Sequence, residues 1–118
     1  MAFGPRARDR EAARKAISEL IRLLYPERAT PHALEVLDRL VTLLLDSGAP
    51  LSFRSMDRLL ADPAWRQTLL ERAPASRPFF ASAADAPIPP SRLDPDFAWL
   101  LHDRLAADPD QAPDPKGP

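Results

Sequence analysis

The sequence predicts an all-α protein, a small bundle of four short helices around a central apolar helix at about 31–47, with a fifth helix at about 95–106. Three observations lead to this prediction. The stretch 31–47 is apolar around most of a helical circumference. A capping residue stands directly before a proline, as at many helix starts, at Thr30, Asp62 and Asp94. Ten of the 15 prolines fall from Pro74 onward, which leaves Pro-free segments for helices before it.

The first helix is predicted from about Arg8 to Leu24, before Pro26. One apolar stripe follows the helical period along it and comprises Ala13, Ala16, Ile17, Leu20, Ile21 and Leu24. The polar side chains are predicted to face away from this stripe: Arg14, Lys15, Ser18 and Arg22. The pattern is that of an ordinary amphipathic helix, so we expect the stripe to cover part of the central helix.

The central helix is predicted to begin at Thr30-Pro31 and to end at Ser47-Gly48, where glycine suits the left-handed position after a helix. Its polar strip is narrow and comprises Glu35, Asp38, Arg39, Thr42 and Asp46. A helix with so little polar surface must be surrounded. The cover comes either from the other helices of the chain or, in part, from a second copy or another protein.

Two short helices are predicted to follow. The third begins after Ser52 and presents Phe53, Met56, Leu59 and Leu60. The fourth begins at Asp62-Pro63 and presents Trp65, Leu69 and Leu70 on one side. Both can contribute to the enclosure of the central helix.

The composition changes near Pro74, where the chain becomes rich in Pro, Ala and Ser. The predicted organisation is a helical core domain at 1–73, a Pro/Ala/Ser-rich connection at 74–93, a docking helix at 94–107 and a disordered acidic, Pro-rich tail at 108–118. Within the connection, 86–90 is expected to favour polyproline-like extension.

Composition narrows the class of protein. A chain of 118 residues with 45% hydrophobic and 28% charged residues is typical of one soluble globular domain. The absence of cysteine excludes disulfide frameworks and thiolate metal sites, and it fits a reducing compartment. The longest nearly apolar run, 40–45, is too short to span a bilayer. We therefore expect a cytoplasmic protein without a membrane partner.

The sequence contains little that could perform catalysis. The two histidines, His32 and His102, are far apart and have no cysteine partners. Three glycines, scattered along the chain, cannot form a glycine-rich phosphate loop. We expect no catalytic residues, no cofactor and no metal, and thus a protein that is not an enzyme.

The favoured function is a non-enzymatic protein-interaction or assembly module, an adaptor or accessory subunit that pairs with itself or with a protein partner through apolar helical surface. Aromatic anchors in or after a Pro-rich segment are the best candidates for such contacts. The candidate partner-binding residues are Phe79, Phe80, Phe97, Trp99 and Leu101. Alternatively, Phe79 and Phe80 fold back over the bundle and the 97–105 segment completes it.

A second hypothesis concerns DNA. From Leu43 to Leu70, an apolar helix, a Gly48-Ala49-Pro50-Leu51-Ser52 turn and two further short helices resemble the opening of a winged helix-turn-helix domain. The resemblance implies a DNA-binding regulator whose helix-turn-helix-like segment spans 43–72. Its base and phosphate contacts would come from Arg54, Arg66, Gln67, Thr68 and Arg72. Nucleic acid is nevertheless the less favoured partner, because a net charge of −1 lacks a basic excess.

A further likeness supports pairing. Between about Ala13 and Leu60, a short helix, Tyr25-Pro26 with its loop, and a long apolar helix after Thr30 are similar to the first half of a histone fold of transcription-complex subunits. Such folds are obligate pairs. The resemblance implies that the central helix could be covered by a second chain, and a homodimer is one form of that arrangement.

Overall fold

The structure, a computed structural model, describes residues 7–83 and 85–107. These residues form six α-helices and a 3₁₀ segment, with no strand among them: α1 Ala7–Leu24, α2 Pro31–Ser47, α3 Phe53–Ala61, α4 Pro63–Arg72, the 3₁₀ segment Pro74–Ala83, α5 Pro90–Leu93 and α6 Pro95–Ala107. The predicted all-α bundle is confirmed. The predicted tail, 108–118, lies outside the described residues. None of the helices in the described ranges is both long and apolar enough to cross a lipid bilayer.

Side-chain caps begin four of these helices where the sequence predicts them. In each case a side-chain oxygen accepts a hydrogen bond from the N–H group three residues later, and the capping residues are Thr30, Ser52, Asp62 and Asp94. At the end of α2, Gly48 adopts the left-handed conformation with φ 77°, and its N–H returns to the Leu44 and Leu45 carbonyls. Local chemistry therefore fixes these helix ends.

Helix α2 lies at the centre of the fold. It contacts α1, α3, α4, α6 and the 3₁₀ segment. Its buried side chains are Ala33, Val36, Leu37, Leu40, Val41, Leu43, Leu44 and Ser47. The chain thus supplies most of the cover that this apolar helix requires, and the prediction of a buried central helix is confirmed.

Helix α1 contacts the bundle through only part of the predicted stripe: Ile17 and Ile21 pack on the core, whereas Leu20 and Leu24 remain partly exposed. Ile21 is fully buried, but Arg14 also turns toward α2, where its Nε and Nη2 donate to the Asp38 carboxylate at 2.7 and 2.8 Å. Arg10 forms a second ion pair with Asp46 at 3.3 Å. The prediction that Arg14 faces away from the packed side is therefore wrong, because the polar strip of α2 attracts it.

The Pro-rich connection is more ordered than expected. Its first half is the 3₁₀ segment, which packs on α2 and α4, and α5 adds one helical turn. Phe80 and Ile88 are buried, and the Ile88 N–H donates to the Leu60 carbonyl at 2.7 Å. Burial of these two side chains favours a path along the bundle over free extension.

Helix α6 packs against α2, α3 and α5. Phe97, Leu100 and Leu101 are buried in the same apolar core as Ile21 and the leucines of α2. The last helix therefore belongs to the bundle.

Candidate interaction surface

Three of the five predicted partner-binding residues lie in the core. Phe80, Phe97 and Leu101 are almost completely buried. Phe97 and Leu101 lie on the side of α6 that packs on the bundle, and Phe80 forms part of the core beside α4. These three side chains therefore stabilise the fold and are not available to a partner at its surface, as in the alternative in which the 97–105 segment completes the bundle.

Trp99 is the predicted candidate that remains at the surface, with 44% of the residue exposed. One edge of its ring system contacts the Tyr25 ring at 5.8 Å between centroids. The Arg28 guanidinium lies over the ring at 4.4 Å and also pairs with Asp96 at 3.4 Å. These contacts hold the indole in place, and its remaining surface faces solvent.

Tyr25 connects the loop after α1 to α6. Its hydroxyl donates to Asp103 and accepts a hydrogen bond from Arg104 Nε at 2.7 Å. Burial, together with the hydrogen bond to Asp103, raises the pKa of Tyr25 above 10.0. The phenol is therefore protonated at neutral pH, and its hydrogen bonds link the loop after α1 to α6.

Phe79 occupies an intermediate position. It is half-buried, and its ring meets Phe80 edge to face at 4.9 Å. With Pro78 and the polar strip of α2, it lines a groove of about 430 Å³. The strip contributes Glu35, Arg39, Thr42 and Asp46. The groove is lined by acidic and basic side chains and by one aromatic ring. This lining does not indicate one class of ligand.

A histidine at the start of α2 lies beside the carboxylate that caps α6. His32 Nδ1 is 2.7 Å from Asp94 Oδ1, while Asp94 Oδ2 accepts from the Phe97 N–H at 2.9 Å. Burial by itself raises the pKa of Asp94, but the hydrogen bonds from Phe97 and His32 outweigh it and lower the pKa below 3.8. The pair joins α2 to the cap of α6, which is a structural arrangement.

The structure also changes the interpretation of Arg66, one of the five candidate residues of the DNA hypothesis. Its side chain is fully buried. Nη1 donates to the carbonyls of Leu59 and Leu60 at 2.8 and 3.3 Å, and Nη2 donates to those of Ala83 and Ala86 at 2.7 and 2.6 Å. Arg66 thus ties the end of α3 to the connection and is not accessible for contact with a base or a phosphate.

The other nucleic-acid candidates lie on two helices, with Arg54 on α3 and the remaining three on α4. Arg54, Thr68 and Arg72 are exposed, whereas Gln67 is half-buried. The Thr68 hydroxyl donates to the Ala64 carbonyl at 3.1 Å, and Arg72 reaches the Ser47 carbonyl at 3.4 Å. With Arg66 buried, α4 presents few donors to a groove of DNA.

The largest apolar exposure lies on α1, in residues that sequence reasoning did not select. Within the described ranges, the exposed large apolar residues are Leu20 (42%), Leu23 (78%), Leu24 (43%), Leu51 (37%) and Trp99 (44%). The first three occupy the last two turns of α1, and we call them the leucine surface. The sequence did contain one indication of this exposure, because Leu23 is a large apolar residue that lies outside the apolar stripe predicted for this helix.

The leucine surface is exposed because of the way α1 is attached. The Arg14–Asp38 and Arg10–Asp46 pairs face α2, and Leu20 and Leu24 are turned away from the most buried line of contact. Exposed Lys15, Glu19 and Arg22 stand on the same helix. An apolar patch with a polar rim of both charges is the usual composition of a protein-binding surface.

Neither metal chemistry nor comparison with known proteins assigns a function. Among the described residues, no group of three or more His, Cys, Asp or Glu side chains is arranged to hold a metal ion. The chain matches no family model, no curated protein and no solved structure. The function must therefore be argued from the surface itself.

Proposed function

We propose that this chain is a non-enzymatic protein-interaction module that binds a protein, either itself or another chain, through the leucine surface of α1. The observation that supports this proposal is the exposure of Leu20, Leu23 and Leu24 on consecutive turns of one helix. The role is that of an adaptor or accessory subunit, and the proposed location is the cytoplasm.

Burial of the leucine surface by a partner would be favourable. Complete burial of a fully exposed leucine contributes about 1.5–3 kcal/mol. Leu23 is 78% exposed, and Leu20 and Leu24 are 42% and 43% exposed, so the gain from Leu23 approaches this range and the gain from each of the other two is about half of it. The two ion pairs that orient α1 do not require these leucines. Folding of the single chain therefore leaves them uncovered, and association is the process that would bury them.

The proposal is tested with the double variant Leu20→Gln/Leu23→Gln. We expect an unchanged helical circular dichroism spectrum, together with loss of self-association in light scattering or of binding to a defined partner in a two-protein pull-down. Lys15→Gln/Arg22→Gln is the matched control, since it alters two exposed side chains of the same helix. Association that is the same in the leucine double variant and in wild type would contradict the proposal.

DNA binding remains the alternative function, and the burial of Arg66 weakens its support. A gel shift at two salt concentrations tests it with the same proteins. We expect no salt-sensitive complex in the sub-micromolar range. Such a complex, lost in Arg54→Gln/Arg72→Gln but retained in Leu20→Gln/Leu23→Gln, would favour the DNA-binding regulator.

A further inference from the structure

We infer that the occupant of the leucine surface is a second copy of this chain, paired antiparallel through α1; this inference rests on the proposed function and specifies its partner. The basis is a heptad-like spacing on the exposed side of the helix. Ala13, Ala16, Leu20 and Leu23 are separated by three, four and three residues, as are the core positions of a two-helix coiled coil. We call these four residues the α1 seam.

The α1 seam is open to a partner. At about 100° per residue, it lies roughly 120° around the helix from Ile21 and Arg14, which face α2. Ala16, Leu20 and Leu23 are exposed, and Ala13 is half-buried. A second helix can therefore approach without displacing any contact between α1 and α2.

The order of side-chain sizes favours the antiparallel direction. When two copies pair about a two-fold axis level with Ser18, Leu20 packs on the partner's Ala16, and Leu23 packs on the partner's Ala13. Every layer then joins one large and one small side chain, which fills the interface evenly. A parallel, in-register pair would instead place alanine against alanine in two layers and leave them underpacked.

The charge beside the seam weakens the pair. At about 100° per residue, Glu19 lies next to the α1 seam, whereas Lys15 lies about 120° from its centre and does not reach the partner. In the antiparallel pair, the two Glu19 carboxylates are about 3 Å apart along the axis. Their repulsion, which salt screens, opposes the packing of the leucines.

The seam is short, so the dimer is weak. Residues 13–23 cover about 16 Å of helix, and a contact of this length belongs to the small interfaces, below about 1,200 Å², that are typical of transient complexes. We therefore expect half-association at roughly 100 µM, which corresponds to a modest binding free energy.

Single-cysteine variants of the full chain test the geometry, because the natural sequence contains no cysteine. Glu19 and Ala12 are exposed on the same flank of the seam. In the antiparallel pair, the two thiols of Glu19→Cys lie beside the axis, whereas those of Ala12→Cys are about 18 Å apart along it. Under mild oxidation at high protein concentration, we expect disulfide dimers from Glu19→Cys to exceed those from Ala12→Cys about fivefold. Adding Leu20→Gln/Leu23→Gln to Glu19→Cys should remove that excess. Equal yields from the two cysteine variants would overturn the antiparallel pairing.

Light scattering separates this inference from the proposed function. We expect the wild-type mass to rise toward that of a dimer as the concentration approaches several hundred micromolar, and the leucine double variant to remain monomeric. Wild type that stays monomeric overturns the inference. If it also binds a different protein in a manner lost in the leucine double variant, the proposed function stands with another partner; if the leucine double variant changes no association, both fail.

Discussion

Helix α1 exposes leucines, whereas α4 buries an arginine. Leu23 is 78% exposed on α1, and Arg66 of α4 is completely buried. Helix α1 packs chiefly on α2, but α4 is surrounded by α2, α3 and the 3₁₀ segment. The number of neighbours around a helix, more than the polarity of a residue, decides which side chains are covered.

The two helices also use arginine differently. Arg14 of α1 forms a part-exposed ion pair with Asp38, while the buried Arg66 donates to four backbone carbonyls. Two of them are buried carbonyls at the end of α3, which need donors, and two are part-buried carbonyls of the connection. Arg66 is therefore part of the core, and α1 is an attached helix with one side open.

The largest expected effect comes from placing a charge in the core around α2, and the same change on the open side of α1 provides the comparison. Leu44→Asp puts a carboxylate into the fully buried side of α2, and we expect a loss of roughly 4 kcal/mol or more, enough to unfold the chain. Leu23→Asp should change the stability of the monomer by about 0.5 kcal/mol at most, because that side chain is already in solvent.

Urea unfolding followed by circular dichroism checks both variants at low protein concentration. A soluble, fully helical Leu44→Asp protein would refute the burial of α2. Strong destabilisation by Leu23→Asp would show that the leucine surface is covered within the single chain.

An intermediate effect is expected from a pair of arginine variants. Arg66→Met keeps much of the side-chain length but removes the donors to two buried and two part-buried carbonyls, so we expect a loss of about 2–3 kcal/mol. Arg22→Met changes an exposed arginine of α1 and should cost less than about 0.5 kcal/mol. Chemical denaturation measures both, and similar losses in the two variants would remove the distinction between the regions.

The smallest effects concern the aspartates that anchor the two end helices. Asp94→Ala removes the cap of α6 and should cost about 1–2 kcal/mol. Asp38→Ala removes the part-exposed partner of Arg14 and should cost about 0–1 kcal/mol, less at high salt. A larger loss from Asp38→Ala than from Asp94→Ala, measured at neutral pH, would reverse this order.

The Asp94 contribution should also depend on pH. The hydrogen bonds from Phe97 and His32 lower the pKa of Asp94 in the folded state, so the carboxylate stabilises the fold at pH values above 3.8, and this contribution is lost as the pH falls through the lowered pKa. Denaturation at a series of pH values should therefore show the gap between wild type and Asp94→Ala narrowing below about pH 4. A gap that is constant down to pH 2 would contradict a role for the charged form.

Local features of the fold could be predicted, whereas its surface could not. The caps at Thr30, Ser52, Asp62 and Asp94 depend on residues within three positions in the chain, and all are present. The candidate partner residues and Arg66 depend on which distant segments cover them, and no local pattern contains that information. For Phe80 and Phe97 the sequence left both a surface contact and a return to the bundle open, because the path of a long connection is not set by neighbouring residues.

The sequence alone determined that the chain is helical, where its main helices begin and end, and that α2 must be buried, because helical period and capping act over a few residues. Only the tertiary structure decided which side of each helix is covered. Asp38 and Asp46 orient α1 by charge, and the connection folds back over Arg66. The same packing leaves three leucines of α1 in solvent.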